Sequence, residues 1–272
     1  MNFLVLCLVA LITWLSPRRT GLPRDPAHRW MDEVQRLAQR RSGKPHWWVG
    51  LGIAVPLVSL VGLLWLIEGI AHGLLTLLVH VLVLLACVSR RDPLGAMTSS
   101  VELAWQRGDQ QAAALIAERD WSIRSDSAES LGQAVRATVA LEALRGYFVP
   151  AFWYVLLGPV AALGYRLSWL AAERRGAAGA AADEACQALE WIPLRLLGVS
   201  LALGGRLDQT MKVLRRHLAD WDTPSLQLAG HLIEASVRIP LSAEPRLRIT
   251  RRLLQHSLLV WALTIAFLSL VG

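Results

Sequence analysis

The chain has 272 residues, 54% of them hydrophobic and only 18% charged, with a mean hydropathy of +0.40. Soluble domains carry about 25% charged residues, so this balance excludes a disordered chain and points to a bilayer. Twenty-eight Lys and Arg against 21 Asp and Glu leave a net charge of +7, which suits either nucleic acid or a membrane protein with one basic side.

The first apolar run covers 2–15. It lacks a basic stretch before it and is followed by Ser16-Pro17-Arg18-Arg19 instead of a small-residue cleavage site, so it reads as a retained anchor and not a signal peptide. Further runs cover 48–67, 69–87, 147–170, 189–203 and 254–271. A crossing helix needs about 20 residues; the first and fifth runs are short by that measure. Six crossings with both termini outside leave 16–47, 88–146 and 204–253 in the cytoplasm, with 8, 7 and 9 Lys and Arg. The outer segments then hold only Arg174 and Arg175, and the membrane holds Arg166 and Arg195. This is the positive-inside pattern. The charge is therefore topological, and no basic stripe interleaved with aromatics offers a nucleic-acid face.

Cys7, Cys87 and Cys186 lie far apart and suggest neither a disulfide framework nor a zinc site. Of the 12 Trp, Trp14, Trp47, Trp48, Trp65, Trp169 and Trp191 fall near run ends, where indoles sit well among headgroups. The cytoplasmic segments read as helical. Ser99-x-x-Glu102 has the form of a capping box, and Val101, Ala104, Trp105, Ala112, Leu115 and Ile116 recur at helical spacing around a turn at Gly108-Asp109. A helix from about Asp126 carries Leu131, Val135, Thr138 and Val139 on one face and runs toward the fourth span. Met211, Leu214 and Leu218 make another stripe; Thr223-Pro224 starts a helix that Pro240 ends. The predicted fold is all-α, a polytopic helical membrane protein read as one integral domain over 1–272.

No nucleotide, zinc-protease or Cys/His motif is present. Four features remain. Glu68, His72, Thr76 and His80 fall four apart in the third span, a polar stripe that is either a functional face toward the bundle interior or a set of interhelical hydrogen bonds with Glu68 at the outer surface. Arg195 sits mid-way in the short fifth run, just after Pro193; so placed it needs a partner, and Glu190, Glu142 or an anionic ligand are the choices. The fourth span carries Pro150, Gly158 and Pro159, which predict a kinked or broken helix lining a cavity. Arg119-Asp120 ends a cytoplasmic helix as an adjacent charge pair.

The blocks Pro150-Ala-Phe-Trp153-Tyr, Gly158-Pro159, Ala-Leu-Gly-Tyr165-Arg166 and Glu190-Trp-Ile-Pro193-Leu-Arg195-Leu resemble the AmpE family, inner-membrane signalling modulators associated with β-lactamase induction. The same landmarks are similar to the adenosylcobinamide-phosphate synthases of cobalamin biosynthesis, with Arg107-Gly108-Asp109 and Arg119-Asp120 matching their cytoplasmic pattern. The departures are in the polar motifs. Aligned on Pro150, the synthases' Glu-Asn-x-x-Asp-Gly falls on Leu141, Glu142 and Arg145, and their Asn-Thr-Leu-Asp on Trp169-Leu170-Ala171-Ala172. The resemblance thus implies a regulatory protein without catalysis, and no metal or cofactor. ATP and Mg would enter only if an amide-forming or transferase activity persisted around Glu142, Arg119 and Asp120. The expected ligand is an anionic amphiphile or muropeptide in a groove lined by Trp153, Tyr165, Arg166, Pro193 and Arg195, with Glu142 near it. The expected partners are membrane lipid and a cytoplasmic component of the induction pathway, and nucleic acid is not among them. A transporter of cell-wall fragments, using the Glu68–His80 stripe, is the third reading; six spans without a visible repeat speak against it.

Overall fold

The computed structural model describes residues 2–15, 26–40, 45–68, 73–88, 92–95, 97–174, 177–237 and 243–271. The described residues are helical, with no strand among them: α1 (Asn2–Leu15), α2 (Pro26–Arg40), α3 (Pro45–Ile67), α4 (Leu74–Cys87), α5 (Ser99–Gln106), α6 (Gln110–Trp121), α7 (Ala128–Ala143), a π turn (Leu144–Phe148), α8 (Val149–Leu157), α9 (Pro159–Ala172), α10 (Ala177–Gly204), α11 (Leu207–Arg216), α12 (Ser225–Ser236) and α13 (Ala243–Val271). The chain forms two compact units. The first holds 1–90 and 149–190, the second 91–148 and 191–271. Helix α10 contributes to both.

In the first unit, α2 is amphipathic because Met31, Val34 and Ala38 recur at helical spacing and are buried, while Arg29, Asp32, Glu33 and Arg36 are exposed. It packs on α3 and α9. The approach to α3 is close at Gly52, where a Cβ would lie 2.5 Å from a methyl carbon of Val34. Met31 also joins Leu167, Leu170, Ala171 and Ala182 in one apolar cluster. Pro56 lies inside α3, where it cannot donate to the Gly52 carbonyl one turn earlier; the Trp30 indole Nε1 donates to that oxygen instead, at 2.7 Å.

Among the described residues three helices are long and apolar enough to cross a membrane: Trp47–Ile67, Gly179–Gly204 and Arg246–Ser269. The stretch 147–170 is not one of them. Gly158, at φ 78°, ψ −168°, breaks it into α8 with 9 residues and α9 with 14, and these two pack against each other. Pro159 opens α9 because a first-turn residue has no intrahelical donor to lose. The expected break is present, but it makes a hairpin rather than a kinked crossing. A second observation corrects the six-crossing arrangement: Arg174 Nη2 donates to Asp32 Oδ1 at 2.6 Å and to the His28 carbonyl at 3.1 Å. Those residues were assigned to opposite faces of the bilayer, and an ion pair cannot bridge about 30 Å of hydrocarbon.

The second unit is built on α7 and α12, which pack side by side, with α11 along α12 and α13 along α7 and α5. Leu131, Val135 and Val139 are buried as their spacing predicts, with Leu228, Leu232, Ile233 and Leu254 also in the core. Ion pairs tie its helices together. Arg136, fully buried on α7, donates through Nε to Glu234 Oε1 on α12 at 2.6 Å. Arg251 on α13 donates to Glu102 Oε1 at 2.6 Å and Thr98 Oγ1 at 3.2 Å, and Arg246 pairs with Glu129. The Ser99-x-x-Glu102 capping box is therefore not made: Thr98 is the N-cap and the Glu102 carboxylate is engaged by Arg251. The caps that do form are Asp109, accepting from the Ala112 amide at 2.8 Å, and Ser127, accepting from Ser130 at 3.2 Å. Helix α6 buries Ala113 and Ala117 and leaves Leu115 exposed. Leu218 lies beyond the end of α11 and is exposed. Helix α12 starts one residue later than predicted, with Pro224 as its N-cap, and Pro240 lies outside the described residues.

Candidate functional site

Two sets of buried polar side chains stand out, one in each unit. In the first unit, Tyr165 on α9 is buried and donates its hydroxyl to Glu190 Oε1 on α10 at 2.8 Å, and Glu190 is itself fully buried. Arg166, also buried, holds its guanidinium carbon 4.4 Å from the Trp169 ring centroid, within cation–π range. His80 on α4 is buried, with Nδ1 3.0 Å from the Tyr154 hydroxyl and the rings edge to face. Trp153 Nε1 donates to the Leu189 carbonyl at 3.1 Å. That carbonyl is available because Pro193, four residues on inside α10, has no N–H.

In the second unit, Arg195 on α10 is buried and fully engaged. Nε donates to the Leu218 carbonyl at 3.0 Å, Nη1 to Trp191 at 3.0 Å, and Nη2 to the carbonyls of His217 at 2.7 Å and Asp220 at 2.5 Å. Its guanidinium carbon also lies 4.0 Å from the Trp191 ring centroid, and Trp221 stacks on Trp191, with centroids 4.5 Å apart. The partners that Arg195 finds here are backbone carbonyls, a choice not among those its sequence position suggested. Carbonyls at the end of α11 and in the loop after it, none of them acidic, satisfy the guanidinium. That loop is closed by Asp220, which accepts from the Thr223 hydroxyl at 2.5 Å, from the Thr223 amide at 3.2 Å and from the Asp222 amide at 2.9 Å, with His217 Nδ1 2.9 Å away. The Thr223 hydroxyl foremost, then His217 and the Asp222 amide, hold the Asp220 carboxyl well below the usual carboxylate range.

The predicted polar stripe is not on one helix. Glu68 follows α3 and is exposed, α4 begins only at Leu74 after Gly73 in a left-handed conformation, and Thr76 is half-buried. His72 lies outside the described residues. Glu142 is half-buried in the last turn of α7. Arg119 and Asp120 form an exposed bidentate pair at 2.7 and 3.0 Å. Sequence reasoning missed Tyr154, Glu234 and the Asp220 loop. Only Arg136, next to the apolar positions 135 and 139, carried a visible signal: a charge on a buried face must find a partner. Among the described residues no three His, Cys, Asp or Glu are grouped to hold a metal ion.

The described residues are helical, and three of their helices are long and apolar enough to cross a membrane, a pattern consistent with a membrane protein. The family described as regulatory signalling modulator protein AmpE matches residues 9–272. The chain belongs to the AmpE family. It is 28% identical over 192 residues to Protein AmpE of Shigella flexneri, covering 64% of this chain and 66% of that protein. It is 29% identical over 185 residues to Cobalamin biosynthesis protein CobD of Stutzerimonas stutzeri, covering 63% of this chain and 57% of that protein. The matched regions thus span less than two thirds of either relative. No solved structure matches the chain.

Proposed function

We propose that this chain is an inner-membrane regulatory protein. Its membrane unit binds an anionic amphiphile or muropeptide, and α10 passes the bound state to a cytoplasmic partner that governs β-lactamase induction within peptidoglycan recycling. The observation that carries the reading is the division of labour along α10. Glu190 is held by Tyr165 in the first unit, and five residues later Arg195 holds the 217–220 carbonyls in the second. Arg166 is the residue that meets the anionic group, while Tyr165 stays on Glu190; Arg195 transmits and does not bind.

In the proposed topology α1, α3, α4 and α13 cross, the α8–α9 hairpin enters from the cytoplasm and returns, and both termini lie outside. The hairpin tip suits hydrocarbon, since Leu156 and Leu157 are exposed. All 28 Lys and Arg then fall on the cytoplasmic side or next to it, a stronger bias than six crossings give.

The test is titration of the purified full chain in lipid nanodiscs with a muropeptide and, separately, with lauryl phosphate. Saturable binding is expected, lost in Arg166→Gln and partly kept in Arg166→Lys, with thermal unfolding near that of the parent. Binding unchanged in Arg166→Gln overturns the site. The CobD relative motivates a second reading, an amide-forming enzyme; ATP turnover dependent on an added aminopropanol acceptor would favour it over the regulatory one.

A further inference from the structure

Within the second unit, α10 from Trp191 onward has two unlike faces. Leu194, Leu197 and Leu201 are buried, and Gly198 sits so close to Leu214 and Leu232 that a Cβ would lie 3.1–3.2 Å from them. On the other side Ile192, Leu196, Val199 and Leu203 are exposed by 45, 43, 40 and 65%. Their spacing of four, three and four residues makes one continuous stripe. Leu207, Leu218 and Trp221, each more than half exposed, add to the open apolar surface. Soluble proteins do not leave a surface of this kind to water without a use for it.

Three observations say what covers it. At Gly204, where the stripe ends, a Cβ would lie 3.5 Å from Leu253 Cδ2 and 4.0 Å from the His256 Cβ. This is where α13 passes from packed to bare: Leu253, Leu254 and Ser257 are buried, whereas Leu259, Leu263 and Phe267 are 61, 71 and 65% exposed. The C-terminal end of the stripe is therefore level with the point at which α13 becomes bare. Second, Trp221 is exposed and stacked on Trp191, an indole pair suited to the headgroup layer. Third, Lys212, Arg215 and Arg216 on α11 and Arg252 on α13 are exposed, a basic fringe complementary to anionic headgroups.

We infer that residues 191–204 of α10, with the 217–221 loop, lie flat on the cytoplasmic leaflet of an anionic phospholipid bilayer and do not cross it. Helix α10 has the length and composition of a crossing helix, but 56% of its apolar window is buried, against 17% in each of the other two such helices. A crossing would also carry the nine basic residues of 204–253 to the outer side, against the positive-inside pattern. The inference rests on the reading that α13 crosses, and the experiment separates the two.

Nitroxide labels are placed at 192, 196, 199, 203 and 221 in the full chain with Cys7, Cys87 and Cys186 replaced, in phosphatidylethanolamine nanodiscs containing phosphatidylglycerol. Position 263 is the hydrocarbon control and position 115 the aqueous one. Labels on the stripe should collide with oxygen and be protected from a nickel chelate, at closely similar depths. A crossing α10 would instead spread 192 and 203 over about 16 Å of depth, which overturns the inference. Nickel access to the stripe with 263 protected also overturns it and assigns the face to a water-soluble partner. Nickel access to 263 itself removes the crossing of α13 and the inference with it. Exchange of phosphatidylglycerol for phosphatidylcholine, or the triple change Lys212→Gln, Arg215→Gln and Arg216→Gln, should at least double nickel access at 203 and 221. No change in either would refute the choice of an anionic surface.

Discussion

The two units bury polar groups in different ways. In the first, the contacts described are mostly hydrogen bonds of neutral donors, His80 with Tyr154, Tyr165 with Glu190, and the indoles of Trp30 and Trp153 on backbone carbonyls, with the buried Arg166 guanidinium over the Trp169 ring. Charged pairs described there, such as Asp32 with Arg174 and Glu33 with Arg36, are partly or largely exposed. In the second, helices are joined by guanidinium–carboxylate pairs, Arg136–Glu234 and Arg251–Glu102, and by Arg195 on four carbonyls. Taking charges out of water costs several kcal/mol per ion even when they are paired.

The largest effect that would break this comparison is topological. Cysteine at position 68 should react with an impermeant reagent from outside, whereas cysteines at 127, 184 and 227 should react only after the membrane is opened. Labelling of 184 from outside would mean that α8 and α9 cross after all. Next come the ion pairs of the second unit. Glu234→Gln leaves the buried Arg136 charge without its partner and should cost about 3 kcal/mol in denaturant unfolding, whereas the double change Arg136→Met, Glu234→Leu should recover most of that. Arg195→Gln should cost about 2–4 kcal/mol, because several carbonyls lose a charged donor, and should abolish the near-UV dichroism of the Trp191–Trp221 stack. Arg195→Lys should restore only part, since an ammonium cannot reach carbonyls spread across a planar fork.

Smaller effects sharpen the same contrast. Trp30→Phe and Trp153→Phe each remove one indole donor and should cost about 1 kcal/mol, read as lower thermal stability in nanodiscs with the second unit's transition unmoved. The smallest is a pH effect on the 217–223 loop. The folded Asp220 carboxyl titrates below its unfolded value of about 3.9. Its contribution is therefore complete above that value and is lost as pH falls through the folded one. Trp221 fluorescence should hold steady from pH 7 to about 5 and change only in stronger acid. Asp220→Asn should show the acid-form signal at every pH.

Much of the fold was legible in the chain. Apolar runs gave most of the membrane-length helices, and the period of Leu131, Val135 and Val139 gave the packed face of α7. What misled was length taken as crossing. Residues 147–170 are long enough to span, but the positive φ at Gly158 turns the chain back on itself, and an apolar count does not register a backbone angle. Arg195 failed for a related reason. Its partners are backbone carbonyls 22 to 25 residues downstream, and every residue has a carbonyl, so a search for acids could not find them. Asp32 and Arg174 lie 142 residues apart in sequence, and only their pairing corrects the sidedness.

The two interior prolines have a further consequence. Pro56 and Pro193 each leave a carbonyl one turn back that an indole from another helix has taken. Proline-to-alanine exchange ordinarily mends a helix by restoring its missing amide. Here the restored amide would compete with Trp30 or Trp153 for one oxygen, and the losing indole would be left with an N–H stranded in an apolar setting. The repair would strengthen the single helix and loosen its hold on its neighbour, so at these two positions the break in the helix acts as the latch between helices.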